Sequence, residues 1–270
     1  PDGIQYPELL WEEYNNLQAA NNQFNMLPPN IWTQVGPSNV PLESSGRKRG
    51  IGRVNTISFH PTDANTIYVG APAGGFWKSV NAGQTWQTST DFLANLGVSD
   101  IAIHPSNPDT IYVITGDRDG GDTYSYGLLK SYDGGASWQM TGLSFNVTQY
   151  YKGNRILIDP NNPNVLIVAT SNGVYRSVDG GNTFINTFSI SITSMEFHTA
   201  NSNIIYGGSK GSTSVYKSSD NGITWIQAGT GLPSQSDVVR ACVGVTADNP
   251  SVVYALFGGN NNGFYGVYKS

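Results

Sequence analysis

Lys130-Ser131-Tyr132-Asp133-Gly134-Gly135-Ala136-Ser137-Trp138 decides how this chain is read, because it recurs. Lys78 to Trp86 (KSVNAGQTW), Arg176 to Phe184 (RSVDGGNTF) and Lys217 to Trp225 (KSSDNGITW) are close copies, and another begins at Tyr268-Lys269-Ser270. The shared pattern is Lys/Arg-Ser-x-Asp/Asn-x-Gly-x-Thr/Ser-aromatic, and its chemistry is that of a tight hairpin corner. The Asp or Asn oxygen accepts from backbone N–H groups ahead of it, as in an Asx-turn. The Gly two residues on takes a positive φ that a side chain resists. The hydroxyl residue closes the loop, and the aromatic anchors the returning strand in the core. Asn81, Asp133, Asp179 and Asp220 are therefore read as structural turn residues: equivalent positions spread around a ring cannot converge on one substrate atom.

Outward from each corner the same order repeats. A first strand is expected over 54–59, 99–103, 155–158, 193–197 and 239–245, and a second over 66–69, 110–114, 165–169, 204–206 and 252–256. A third ends on the motif, and the aromatic after it opens a fourth. The motif serines are 52, 46, 41 and 52 residues apart. Four short strands per unit of that length describe a β-propeller blade. The expectation is an all-β fold: one propeller domain over 31–270 with four full blades and part of a fifth, its ring incomplete in this chain. Residues 1–30 differ. Leu10, Tyr14 and Leu17 share a helical face after Pro7, so a helical arm is expected there. Trp32 to Val35 resembles the strand after each corner without the corner, and is expected to close a last blade, removing a sheet edge.

Composition narrows function. Charged residues make up 12% of the chain and the net charge is −5, with no basic run longer than Arg47-Lys48-Arg49, so nucleic acid is excluded as a partner. No stretch of 18 apolar residues is present, so no membrane-spanning helix is expected. Cys242 is the single cysteine; inside the apolar run 238–245 it is expected to be buried and inert.

The corner consensus resembles the BNR or Asp-box repeats of sialidases, sortilin-like propellers, oligoxyloglucan-type glycoside hydrolases and photosystem-assembly propellers. The stretches Trp32 to Pro37, Gly52-Arg53-Val54, Gly70 to Ser79 and Gly116 to Ser125 are most similar to sortilin-like propellers of large surface proteins exported by type IX secretion. That resemblance covers about residues 31–270. It implies an extracellular or cell-surface location and passage through the type IX secretion machinery.

Several residues invite chemistry. His60, His104 and His198 could suggest zinc, but they share one repeat position, filled by Asp159 in another unit, and a recurring slot is a packing slot. Asp117, Asp119 and Asp122 fall within six residues of a Gly-rich insertion, with the oxygen chemistry calcium prefers but without the terminal Glu of an EF-hand. Arg53, Arg155 and Arg240 stand near the starts of first strands. A sialidase-like carboxylate grip would use three arginines, yet these do not align and no Tyr–Glu nucleophile pair is evident. Xyloglucan-type hydrolases need two opposed carboxylates. The resemblance puts one just before the Gly-Gly-aromatic of the first blade, where this chain has Pro72. Tyr124, Tyr126, Tyr150, Tyr151, Phe264 and Tyr265 are the aromatics expected on loops, where a protein or glycan ligand would stack. Asn146-Val147-Thr148 is a glycosylation sequon, and Asp109-Thr110-Ile111 resembles an O-glycosylation motif.

Together these residues lead to an expectation of a non-catalytic, exported binding or adhesion module for a protein or glycan. The alternative is a xyloglucanase- or sialidase-like glycoside hydrolase with catalytic acids partly outside this stretch.

Overall fold

Alternating small, β-branched and aromatic residues between Gly-rich turns give antiparallel meanders throughout Val54–Ser270, a single compact unit. The computed structural model describes residues 53–270 except 94, 121, 122, 212, 213 and 262. The arm expected over 1–30 and the strand expected at Trp32 to Val35 lie outside the described residues. The first sheet holds β1 (Thr56–Phe59), β2 (Ile67–Ala71), β3 (Gly75–Ser79) and β4 (Gln87–Thr88). The second holds β5 (Val98–Ile103), β6 (Ile111–Thr115), β7 (Gly127–Ser131) and β8 (Gln139–Ser144). The third holds β9 (Gly153–Ile158), β10 (Leu166–Thr170), β11 (Gly173–Ser177) and β12 (Ile185–Phe188). The fourth holds β13 (Ile192–His198), β14 (Asn201–Ser209), β15 (Val215–Ser218) and β16 (Ile226–Gln227). The last is three-stranded: β17 (Val238–Val245), β18 (Val253–Gly259) and β19 (Phe264–Lys269). Each strand pairs antiparallel with the next, so every sheet is a meander.

The sheets pack face to face because their second strands are apolar on both sides. In β6, Ile111 and Val113 enter the core shared with the first sheet, alongside Tyr68 and Phe76. Tyr112 and Ile114 point the other way, into the core shared with the third sheet. β10 repeats this: Leu166 and Val168 face the second sheet, Ile167 and Ala169 the fourth. A strand buried on both faces reads as a continuous apolar run, and successive side chains alternate between two cores. The fourth core joins Val215 to Val238, Ala241 and Phe257. At the two ends this pattern stops. Ile57 and Phe59 of β1 are 57% and 64% exposed, and Tyr254 and Leu256 of β18 are 42% and 47% exposed. Among the described residues, each end sheet has one apolar face uncovered.

The corners are built from their own residues. Ser131 Oγ donates to Asp133 Oδ1 (2.7 Å) and accepts from Gly135 N–H (2.9 Å). Asp133 Oδ1 accepts from the N–H groups of Ala136 and Ser137, and Oδ2 from the Ser137 hydroxyl. Asp179 and Asp220 make the same set with Thr183 and Thr224, and Asn81 makes its version with Ser79 and Thr85. The predicted Gly has φ +85, +88, +92 and +83 at Gly83, Gly135, Gly181 and Gly222. The preceding residue is left-handed too, including Ala82 (φ 55) and Asn221 (φ 58), which the consensus did not reveal. The residue that opens the motif ties one sheet to the next. Lys78 Nζ donates to Gly134 O (2.9 Å), Lys130 Nζ to Gly180 O (3.0 Å) and Arg176 Nε to Asn221 O (2.8 Å). Lys130 also lies over the Tyr112 and Tyr132 rings.

Candidate functional site

A meander places the corners and the β1–β2 type turns at one rim, and the β2–β3 type loops with the sheet-to-sheet connections at the other. The first strands β1, β5, β9, β13 and β17 lie innermost, and polar side chains stitch them together. Asp100, 1% exposed, accepts from Thr56 Oγ1 (3.0 Å) of the sheet before and from Ile156 N–H (2.8 Å) of the sheet after. Arg155 spans Asp100 Oδ1 (3.4 Å), Glu196 Oε1 (2.9 Å) and the Met195 carbonyl (3.3 Å). Ser194 Oγ accepts from Val243 N–H (3.1 Å). Asp100 was not among the residues singled out from the sequence. Its neighbours come from 44 and 56 residues away, so no local pattern marks it.

The loop from β6 to β7 lies against this inner wall. Arg118 donates to Asn55 O (2.5 Å), Thr123 Oγ1 to Pro72 O (2.6 Å), and Lys152 Nζ to Gly120 O. Asp119 accepts from Arg118 Nε (3.4 Å) and Arg240 Nη1 (2.5 Å). Burial pulls the Asp119 carboxyl upward, but the hydrogen bond and charge of Arg240 outweigh it and hold the group below the ordinary carboxylate range. Beside this ion pair is a cavity of about 190 Å³ lined by Arg118, Arg155, Thr193, Ser194, Glu196, Arg240 and Cys242. Three guanidiniums from three sheets thus share one cavity. Its third arginine is Arg118, not Arg53: the linear positions of the first strands suggested Arg53, but a loop delivers Arg118. Cys242, expected to be buried, is half-buried and lines the cavity, because β17 turns that side chain toward the interior of the ring rather than into the core.

The other expected site residues divide. Tyr124 and Tyr150 meet edge to face, ring centroids 5.0 Å apart, and Tyr150 is 65% exposed in a left-handed turn (φ 58). Tyr151 is half-buried against Phe145, which also meets Tyr175. Tyr126 is not a surface ligand: it packs against the core of the first and second sheets, its hydroxyl is buried, and burial pushes its pKa up to about 12. Phe264 and Tyr265 lie in β19, not in a loop, because the β18–β19 hairpin is short. His60, His104 and His198 each accept backbone N–H groups of the following turn at Nδ1, as Asp159 does at Oδ1. Asp117 Oδ1 accepts from Asp119 N–H, and Asp122 lies outside the described residues; among the described residues no three His, Cys, Asp or Glu side chains form a metal-binding group. Thr110 is buried, which bars O-glycosylation there, and Asn146 caps a 3-10 turn over Val147–Gln149.

Among the described residues no helix is long and apolar enough to cross a membrane. The family description of Sortilin-Vps10 (sortilin, neurotensin receptor 3) matches residues 74–203. A xyloglucanase of Hypocrea jecorina is 28% identical over 225 residues, covering 78% of this chain and 25% of that protein. A xyloglucanase of a Paenibacillus species is 28% identical over 270 residues, covering 84% and 25%. The chain therefore spans about a quarter of the length of the curated relatives it matches. The crystal structure of the Niastella koreensis GH74 enzyme superposes with a TM-score of 0.61 at 25% identity, covering 86% of this chain and 36% of that one. These likenesses favour the hydrolase alternative over adhesion. The chain is similar over residues 74–203 to the sortilin family description and over most of its length to part of several xyloglucanases, and it folds as part of a β-propeller.

Proposed function

We propose that this chain is part of an extracellular glycoside hydrolase-type propeller directed at a β-glucan polysaccharide such as xyloglucan, whose channel-mouth rim forms a wall of the polysaccharide groove. The observation that carries this is the alignment of two xyloglucanases over 78% and 84% of the chain. The rim suits the role. Tyr150 offers an exposed ring buttressed by Tyr124, and Arg118, Arg155, Ser194 and Glu196 offer hydroxyl partners. The β2–β3 loop offers backbone only: Pro72 presents a carbonyl already taken by Thr123. Catalytic carboxylates would have to come from elsewhere in the protein. The resemblance of Gly70 to Ser79 and of Gly116 to Ser125 to type IX cargo supports export by that route.

Pro72 also favours a second reading, a propeller that grips the polysaccharide without cleaving it. Reducing-end release from xyloglucan by the full-length protein separates the two. Turnover supports the hydrolase; affinity-gel retardation without turnover supports the non-catalytic binder. Neither turnover nor retardation across a β-glucan panel defeats the polysaccharide reading.

A further inference from the structure

We infer that the cavity between Arg118, Arg155 and Arg240 binds a carboxylate group, of the kind carried by a uronic-acid unit in an acidic branch or chain. The inference rests on the polysaccharide reading above and names a charged class of sugar for one part of that rim. Guanidinium groups from the β6–β7 loop, β9 and β17 converge there, joined by Thr193 and Ser194. Their donors are unequally used. Arg155 directs its three nitrogens to Met195 O, Asp100 and Glu196. Arg118 is held by Asn55 O and Asp119. Arg240 engages Asp119 through Nη1, while its Nε is buried and has no nitrogen or oxygen acceptor among the described residues, the Cys242 thiol beside it being only a weak acceptor.

A buried charged donor without an acceptor is costly, and a carboxylate satisfies the Nε edge of a guanidinium with two parallel hydrogen bonds. A sugar hydroxyl offers one oxygen and cannot fill that edge in the same way. Asp100, Asp119 and Glu196 offset the three positive charges, so recognition depends on short-range, oriented N–H groups rather than on a long-range field. Glu196, on the cavity wall, opposes an incoming carboxylate, which makes its removal informative.

The experiment is isothermal titration of the full-length protein with trigalacturonate and, separately, with a neutral xyloglucan heptasaccharide. Trigalacturonate is expected to bind. Arg240→Gln should weaken it at least tenfold with the thermal midpoint and heptasaccharide binding unchanged. Arg240→Lys, which keeps the charge and loses the fork, should weaken it comparably. Glu196→Gln should tighten trigalacturonate severalfold. No heat with trigalacturonate, or equal affinity in Arg240→Gln, overturns the carboxylate site. If the heptasaccharide still binds in that case, the polysaccharide reading stands without it; silence with both ligands removes both readings.

Discussion

On the rim that carries the corners, Asp133, Asp179 and Asp220 find their hydrogen-bond partners within four residues of themselves. On the opposite rim, Arg118, Thr123 and Asp119 reach partners 63, 51 and 121 residues away. The first rim is four repetitions of one local solution; the second is a set of single, long-range encounters. An exposed carboxylate can be strongly perturbed by its own turn alone, as the corners show. Asp179 is held down to about 2 chiefly by the Thr183 hydroxyl and backbone N–H, in a turn that does not line the arginine cavity. A perturbed pKa marks a site only when its cause is a partner that the local turn does not explain.

The contrast is tested most severely at Gly135. A Cβ there would sit 2.7 Å from the Phe76 ring of the preceding sheet, at φ +88. Gly135→Ala should cost about 3 kcal/mol in urea unfolding, combining backbone strain and overpacking. A loss below ~1 kcal/mol would show that the corner yields more easily than its geometry implies. Ser131→Ala comes next. It leaves the buried Gly135 N–H without its acceptor, so a loss of about 1–2 kcal/mol is expected, together with a retained fold by circular dichroism.

Acid titration sharpens the same point with a smaller effect. For Asp179 the folded value is depressed from 3.8 to about 2, so its contribution is complete above about 4 and is lost as pH falls toward 2. His104 moves the other way in charge: burial, then the Lys130 charge, lowers its pKa, so the fold disfavours its protonated form. Its contribution is complete above the ordinary 6.5 and declines as pH falls below it. Thermal midpoints should therefore begin to fall below pH 6.5 and fall again below pH 4, and Asp179→Asn should remove part of the second step. Least in stability is Tyr150→Asn, which suits the left-handed turn and should change unfolding by no more than ~0.5 kcal/mol. Its effect belongs to xyloglucan retardation in affinity gels, which should drop about tenfold if Tyr150 is a stacking face. Unchanged retardation would take the Tyr124–Tyr150 pair out of the groove.

Much of the architecture was legible because each corner and each strand is encoded within a few residues. Lys130 to Trp138 contains the hydrogen-bonding oxygen, the left-handed glycine and the closing hydroxyl of one turn, and spacing alone then predicts four strands between successive turns. Even so, the second left-handed residue at Ala82 and Asn221 was hidden, since neither residue announces a positive φ as glycine does. Aromatics were harder. Tyr126 and Tyr150 look alike in sequence, yet one enters a core and the other faces solvent, because burial depends on what the neighbouring sheet brings opposite.

By itself, then, the sequence determined the repeating meander, its turn chemistry and the structural role of the motif acids, all of which depend on contacts a few residues apart. Only the tertiary structure decided that Asp100 joins three sheets, that Arg118 rather than Arg53 stands with Arg155 and Arg240, and that Cys242 faces a cavity. Those groups meet because strands distant in sequence are packed side by side, and such proximity leaves no mark on the order of residues along the chain.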